Sequence, residues 1–308
     1  MESRESRESR ELRELSPNFV GTPLKPYAAA VHWRDTMNYA AAVEDDNPAF
    51  FDDEAEGGII APPMFGVAAT WPISERLPDF IEAEGFPSAV MQRQVHYTEH
   101  LEFHRAIVPG ARLDIRGSIC TITPHTAGTY LVIRYEARDG GGQKVFTEYV
   151  GGLLRGVTCT GPGAGMDSLP APHGFKGAGA LRWSSQIRID PLRPFIYDGC
   201  TRIFFPIHTS KRFARRVGLP GIILQGTATL AFAVREITNR EASARPKSVE
   251  AIGCRFTGMV FPGSSLFVRV TGLETGDDGA RHVSFDVLTG EGKSAVSDGY
   301  MRFKPDSP

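Results

Sequence analysis

Three segments in the first half of this chain recur, in the same order, in the second. Gly58-Ile59-Ile60-Ala61-Pro62-Pro63 is echoed by Gly221-Ile222-Ile223-Leu224-Gln225-Gly226, Phe103–Gly110 by Phe256–Gly263, and Asn47-Pro48-Ala49-Phe50 by Phe205-Pro206-Ile207-His208. The offsets are 163, 153 and 158 residues. One such match arises easily by chance. Three in register point to an internal duplication, and therefore to one unit built twice. The length of 308 residues suits two units of about 150 residues each.

Each half reads the same way. A short polar–apolar segment ends in an Asn-Pro or Phe-Pro turn, one apolar helix follows, and strands separated by turn signals come after it. Strands are predicted at Gln92–Glu102, Arg112–Thr121, Tyr130–Arg138 and Val145–Gly156, then at Val249–Thr257, Leu266–Leu273, His282–Leu288 and Ser294–Phe303. Asp139-Gly140-Gly141-Gly142 and Gly276-Asp277-Asp278-Gly279 join consecutive strands as hairpins, so the fold class is α+β with antiparallel sheet. The predicted helix Thr227–Thr238 is apolar around most of its circumference and wants burial on most faces, as if a sheet wraps it.

The expected boundaries follow from composition. Residues 1–24 form a disordered tail that opens with three Glu-Ser-Arg repeats and offers no apolar face for docking. Residues 25–160 are the first unit and 181–308 the second. Between them, residues 161–180 are too dense in Gly and Pro for a helix or central strand, and read as a linker.

A formal net charge of -2 gives no reason to expect nucleic acid or an anionic membrane as partner. No apolar run reaches the ~18 residues needed to span a bilayer. The charged start has no signal-peptide pattern, so the expected location is cytoplasmic. Cys120, Cys159, Cys200 and Cys254 form no CxxC pair and read as reduced thiols; a disulfide or a nucleophilic cysteine is the alternative. His96, His100 and His104 recur every four residues, but a strand does not place all three on one face with Glu99 and Glu102, so no metal site is expected.

Pro206-Ile207-His208-Thr209-Ser210 followed by Gly218–Thr227, with Asp45-Asp46-Asn47-Pro48 and Gly58–Phe65 in the first half, resembles the MaoC-like, or hydratase 2, branch of the hot-dog fold. The resemblance runs over roughly residues 25–305. It implies a double hot-dog: two antiparallel sheets, each wrapping one central helix, paired back to back on one chain. It also implies a hydro-lyase of the enoyl-CoA hydratase type, acting on enoyl or 3-hydroxyacyl thioesters of coenzyme A or acyl carrier protein. The family motif reads Asp-x-Asn-Pro-Ile-His, with Asp and His activating one water. The amide at the start of the hot-dog helix holds the thioester oxygen as enolate charge develops.

Neither half holds the whole motif. The second keeps His208, but Ile203 stands at the Asp position and Phe205 at the Asn position; the first keeps Asp45 and Asn47, with Phe50 in place of the His. The resemblance thus marks His208 as acid/base, the Gly226 amide as oxyanion donor and Asp45 as a secondary catalytic candidate. Asn47, Gly221, Gln225, Phe205 and Ile203 are the substrate-binding candidates. Three arrangements compete. His208 works with a differently placed partner, the cleft serves another reaction or binding alone, or Asp45 meets His208 across the pseudo-dyad.

Plainer roles stand beside these. His208 caps a turn, Asp45 and Asn47 cap and turn the chain, and Gln225 satisfies backbone groups rather than substrate. Phe204 and Phe205 fill core, and beside His208 they desolvate it and favour the neutral base. The leading expectation is a (de)hydratase of a small acyl-thioester substrate, coenzyme A-linked, without metal or redox cofactor. Its rivals are a hot-dog enzyme of a specialised pathway that dehydrates or rearranges a non-thioester intermediate, and a non-catalytic partner subunit of a hydratase. A homodimer of the double unit is compatible with all three.

Overall fold

The computed structural model of the chain describes residues 13–175 and 179–305. The first half runs β1 (Glu14–Leu15), β2 (Tyr27–Ala30), α1 (Trp33–Ala42), α2 (Phe65–Ser74), the single turn α3 (Leu77–Phe80), β3 (Gln94–Phe103), β4 (Arg112–His125), β5 (Gly128–Arg138), β6 (Lys144–Arg155) and β7 (Thr158–Cys159). The second runs β8 (Trp183–Arg188), α4 (Arg193–Thr201), α5 (Lys211–Arg216), α6 (Gly226–Glu241), β9 (Val249–Phe256), β10 (Ser265–Thr275), β11 (Arg281–Thr289) and β12 (Ser294–Phe303).

Ten strands form one antiparallel sheet in the order β2-β4-β5-β6-β3-β9-β12-β11-β10-β8. From the centre outwards the two halves repeat one another, so the duplication read from the sequence is a duplication of topology. The two expected sheets meet edge to edge through β3 and β9, in register from Thr98↔Arg255 to Glu102↔Ala251. Pairing these strands removes two exposed edges and makes one ladder of the two sheets.

Each half-sheet packs on its own helix. All of Thr227–Val234 in α6 is buried, together with Ile237 and Thr238, as an all-round apolar helix requires. Its counterpart α2 has ten residues and carries Pro72. In the hairpin joining β5 to β6, Asp139 Oδ1 accepts from the amides of Gly141 and Gln143, both at 2.9 Å. Gly142 supplies the left-handed residue at φ 77°, which a side chain would strain.

The flanking helices α1 and α4 pack together over the junction of the halves. Tyr39 and Tyr197 share a hydroxyl–hydroxyl bond of 2.8 Å, and Tyr197 donates on to Thr227 Oγ1 at 3.1 Å. The last carbonyls of α1 and the residues after it have no partners within the helix. Arg193 Nη1 donates to Ala42 O at 2.8 Å, and Arg235 Nη1 to Val43 O at 2.6 Å. Both guanidiniums also lie over the ring of Phe232, at 5.7 and 5.2 Å.

Two boundary expectations need correction. Of the tail expected over 1–24, residues 13–24 are structured: β1 pairs in parallel with β7, and Leu15 (1% exposed) and Leu24 (4%) belong to the core. Two leucines in a charged segment are enough to anchor it. Residues 1–12 lie outside the described residues. The first part of the expected linker also packs on the sheet, with Ala164 bridged to Ile122 and Gly165 O accepting from Thr121 Oγ1 at 2.9 Å. Gly165 sits at φ 85°, where an added Cβ would run into Cys120 O. All four cysteines are free thiols, and no helix among the described residues is long and apolar enough to cross a membrane.

Phe232 joins the halves through two cationic neighbours that themselves hold α1. Replacing Phe232 by Ala should cost about 3–5 kcal/mol by loss of burial and creation of a cavity. A fall in the urea midpoint with an unchanged m-value would register it.

Candidate active site

The loop after α4 brings the second-half motif to the start of α6. Pro206–His208 form a single 3₁₀ turn, and Ser210 Oγ caps the next helix by accepting from Phe213 N at 3.2 Å. His208 Nδ1 lies 2.9 Å from Ile223 O. A carbonyl only accepts, so Nδ1 carries the hydrogen. Burial depresses the His208 pKa from 6.5 to about 4, with the Ile223 contact opposing it. The ring is therefore neutral at pH 7, and Nε2 presents a lone pair.

Three residues beyond Ile223, α6 begins at Gly226. Gln225 makes no side-chain capping bond, so the first amides of the helix keep their donors and the positive end of its dipole. Instead, Gln225 is buried, with Nε2 donating to Pro194 O at 3.0 Å. Its donor is thus committed to backbone. Gly226 lies against Phe256, whose Cδ1 would be 3.1 Å from an added Cβ. Gly221 sits in the bend before Ile222, where an added Cβ would meet nothing within 4 Å.

Ile203 is 3% exposed, a core side chain at the position of the motif acid. Phe205 and Phe204 depart from expectation. They are 44% and 45% exposed, so the desolvation of His208 does not come from their burial around it. Phe205 instead meets Phe213 edge-on at 6.1 Å.

Asp45 and Asn47 occupy a different place. Asn47 Oδ1 accepts from Ala49 N at 3.0 Å, and Nδ2 donates to Ala244 O at 2.7 Å. Both ends of its side chain are spent on backbone, and Ala244 is a non-glycine residue at positive φ that this bond holds. Asp45 Oδ1 accepts from Asn47 N at 3.3 Å, within a narrow cleft that also involves Val234, Arg235 and Thr238 of α6. At ~1.5 Å rise per residue, Arg235 lies about 13 Å along the helix from Gly226. Asp45 therefore faces the far part of α6, and His208 the near end.

The sequence singles out His96 and Glu99 only as possible metal ligands and gives no sign of Glu148. All three lie at the junction of the halves. A register shift between His96 and Thr98 brings His96 onto the same face as Glu99, with Nε2 3.1 Å from Glu99 Oε2. Glu99 and Glu148 are both buried, and their carboxyl groups lie close enough to act on each other's titration. Burial lifts both well above the usual carboxylate range, and Glu148 is lifted further by the charge of Glu99. The available signal was the phase of Glu99 with Leu101, two residues apart on one strand face.

The sequence comparisons match the two halves separately. The model of the MaoC like domain covers residues 186–291, and that of the FAS1-like dehydratase domain region covers residues 18–148. The chain belongs to the MaoC-like family. It is 37% identical over 191 residues to the peroxisomal enoyl-CoA hydratase 2 of Arabidopsis thaliana, a match covering 57% of this chain and 59% of that protein. The chain thus spans less than two thirds of that relative. A MaoC-like dehydratase structure from Phytophthora capsici superposes with a TM-score of 0.79 at 20% identity, over 94% of this chain and 98% of that one. A Mycobacterium tuberculosis protein described as a double hot-dog gives 0.59 at 15% identity, over 91% and 94%. These likenesses identify the fold as the double hot-dog.

Burial raises the Asp45 pKa from 3.8 to about 6, against the opposing bond from Asn47 and the charge of Arg235. The folded state thus binds the extra proton. Its stabilisation is present below about pH 4 and is lost as pH rises through about 6. Asp45→Asn should therefore gain about 2 kcal/mol over wild type near pH ~7.5 and lose most of that advantage near pH ~4. Denaturant titrations at the two pH values measure it.

Proposed function

We propose that the chain is a hydro-lyase that adds water to an enoyl thioester, or removes it from a 3-hydroxyacyl thioester, carried on coenzyme A or acyl carrier protein. The observation that carries this reading is a neutral His208, held through Nδ1 so that Nε2 is an acceptor, beside the uncapped start of a buried helix. Hydration needs a base for water and donors for the oxygen on which charge accumulates. His208 Nε2 takes the proton as the water oxygen bonds to the β-carbon. The alkene pair moves onto the thioester oxygen, held by the Gly226 amide. The imidazolium then protonates the α-carbon. These steps invoke no metal or redox group.

The name of the plant relative, an enoyl-CoA hydratase, supports the same substrate class. A small acyl substrate, a cytoplasmic location and a homodimer of the double unit complete the reading; cell fractionation and sedimentation test the last two. Ile203 favours a second reading, since a buried isoleucine in the acid position suits a cleft that binds without turnover. That reading predicts thioester affinity with no reaction.

Turnover of crotonyl-CoA and of longer, branched and polar enoyl-CoAs separates the two. On an accepted substrate, His208→Ala should lower kcat by about 10²–10⁴-fold with little change in KM. Equal turnover by the variant would remove His208 from the chemistry.

A further inference from the structure

Ile203 leaves the site one acid–base group short. A water held by His208 alone has one of its hydrogens fixed, and its attacking lone pair is free to swing. The missing acceptor has to come from a side chain near Gly226, and Asp45 is at the other part of α6. We propose that His96, contributed by the first half, is the second water-binding group of the active site. In this arrangement His96 Nδ1 and His208 Nε2 accept the two hydrogens of one water at the Gly226 end of α6. The inference rests on the hydratase reading given above.

Four features converge on His96. Its ring meets Phe256 at 4.7 Å between centroids, and the same Phe256 ring packs on Gly226. One aromatic side chain thus separates it from the oxyanion donor. The register shift between His96 and Thr98 turns it onto the helix-covered face, which regular alternation from Glu99 would deny it. The side chain keeps 27% of its exposure while Glu99 keeps none, so the ring stands on the solvent side of the buried cluster. Finally, its tautomer is set. Nε2 lies 3.2 Å from Thr98 O and 3.1 Å from Glu99 Oε2; the carbonyl can only accept, so Nε2 carries the hydrogen and Nδ1 is the acceptor.

Burial depresses His96 to about 4, so this ring is neutral at pH 7, as is His208. During hydration the proton passes from water to His208 Nε2 and on to the α-carbon. His96 Nδ1 goes on accepting the second hydrogen of the water throughout, which aims the oxygen lone pair, and it gains no net proton. Glu99, paired with Glu148, is a positioning residue that acts through His96 alone.

Steady-state kinetics on an accepted enoyl-CoA test this with the full chain. His96→Ala and the closer-shaped His96→Gln should each lower kcat by at least about tenfold with KM within about threefold, and added imidazole should recover part of the rate in His96→Ala. Glu99→Gln, which retains an acceptor, should keep more kcat than Glu99→Leu at equal KM. Thermal melts identify any variant that fails to fold, and the folded one of each pair decides. A folded His96 variant with kcat near wild type, or with only KM raised, overturns the role while His208 stands. A wild-type chain inert towards every thioester overturns the hydratase reading itself, and with it this one.

Discussion

The β3–β9 pairing is the contact on which the other features depend. It joins two five-stranded sheets that would otherwise each expose an edge, and it does so with a short central run from Thr98↔Arg255 to Glu102↔Ala251. Because these strands are neighbours, Glu99 lies opposite Cys254, and His96 comes within reach of Phe256. The helix layer repeats the join above the sheet, through Tyr39, Tyr197 and Thr227 and through two arginines that hold the end of α1. A single apolar cluster runs through both halves, so the second half's site is built on support from the first.

The duplicated halves have diverged in complementary ways, and burial accounts for the pattern. Phe50 stands where the first half would have a histidine, and Ile203 where the second would have an acid; both are now core, at 1% and 3% exposure. Each fully buried apolar side chain of this size contributes roughly 1.5–3 kcal/mol, whereas a buried charge without a partner costs several. The surviving polar residues followed different courses. Asn47 became a brace for the loop after α6, and Asp45 lies in a cleft that raises its pKa to about 6. His208 kept a position beside a helix start, which is where an acyl oxygen is best stabilised.

Much of the fold was legible because its periodic elements are strongly patterned. The eight principal strands fall within a few residues of their predicted limits, and α6 extends the predicted helix by one residue at its start and three at its end. The elements missed are those with weak local signals. Strands β2 and β8 are short edge strands, and α1 and α4 mix polar residues into faces that only their mutual packing buries. In the tail, charge repeats hid the two leucines that anchor it. At the site, the motif indicated His208 and Gly226 directly. It gave no warning that Phe204 and Phe205 would stay exposed, since exposure depends on what the loop packs against. His96 was hidden by a register shift, which reverses the face that simple alternation assigns to a side chain.

The Glu99–Glu148 pair is the costliest feature of this interior. An apolar pair of the same volume would pack without desolvating two carboxyl groups, and such replacements are often neutral or stabilising. Protonation, favoured by burial at both groups, removes most of the like-charge repulsion but leaves the groups buried. What the pair provides is a carboxyl oxygen beside His96 Nε2, at a point where a shift in strand register sets the ring against Phe256, the side chain that covers Gly226. A polar cluster placed elsewhere in either half would reach only that half. At the seam it reaches the start of α6 from the opposite unit, so a chain that lost its acid at residue 203 can still draw a second polar group from the copy that lost its histidine.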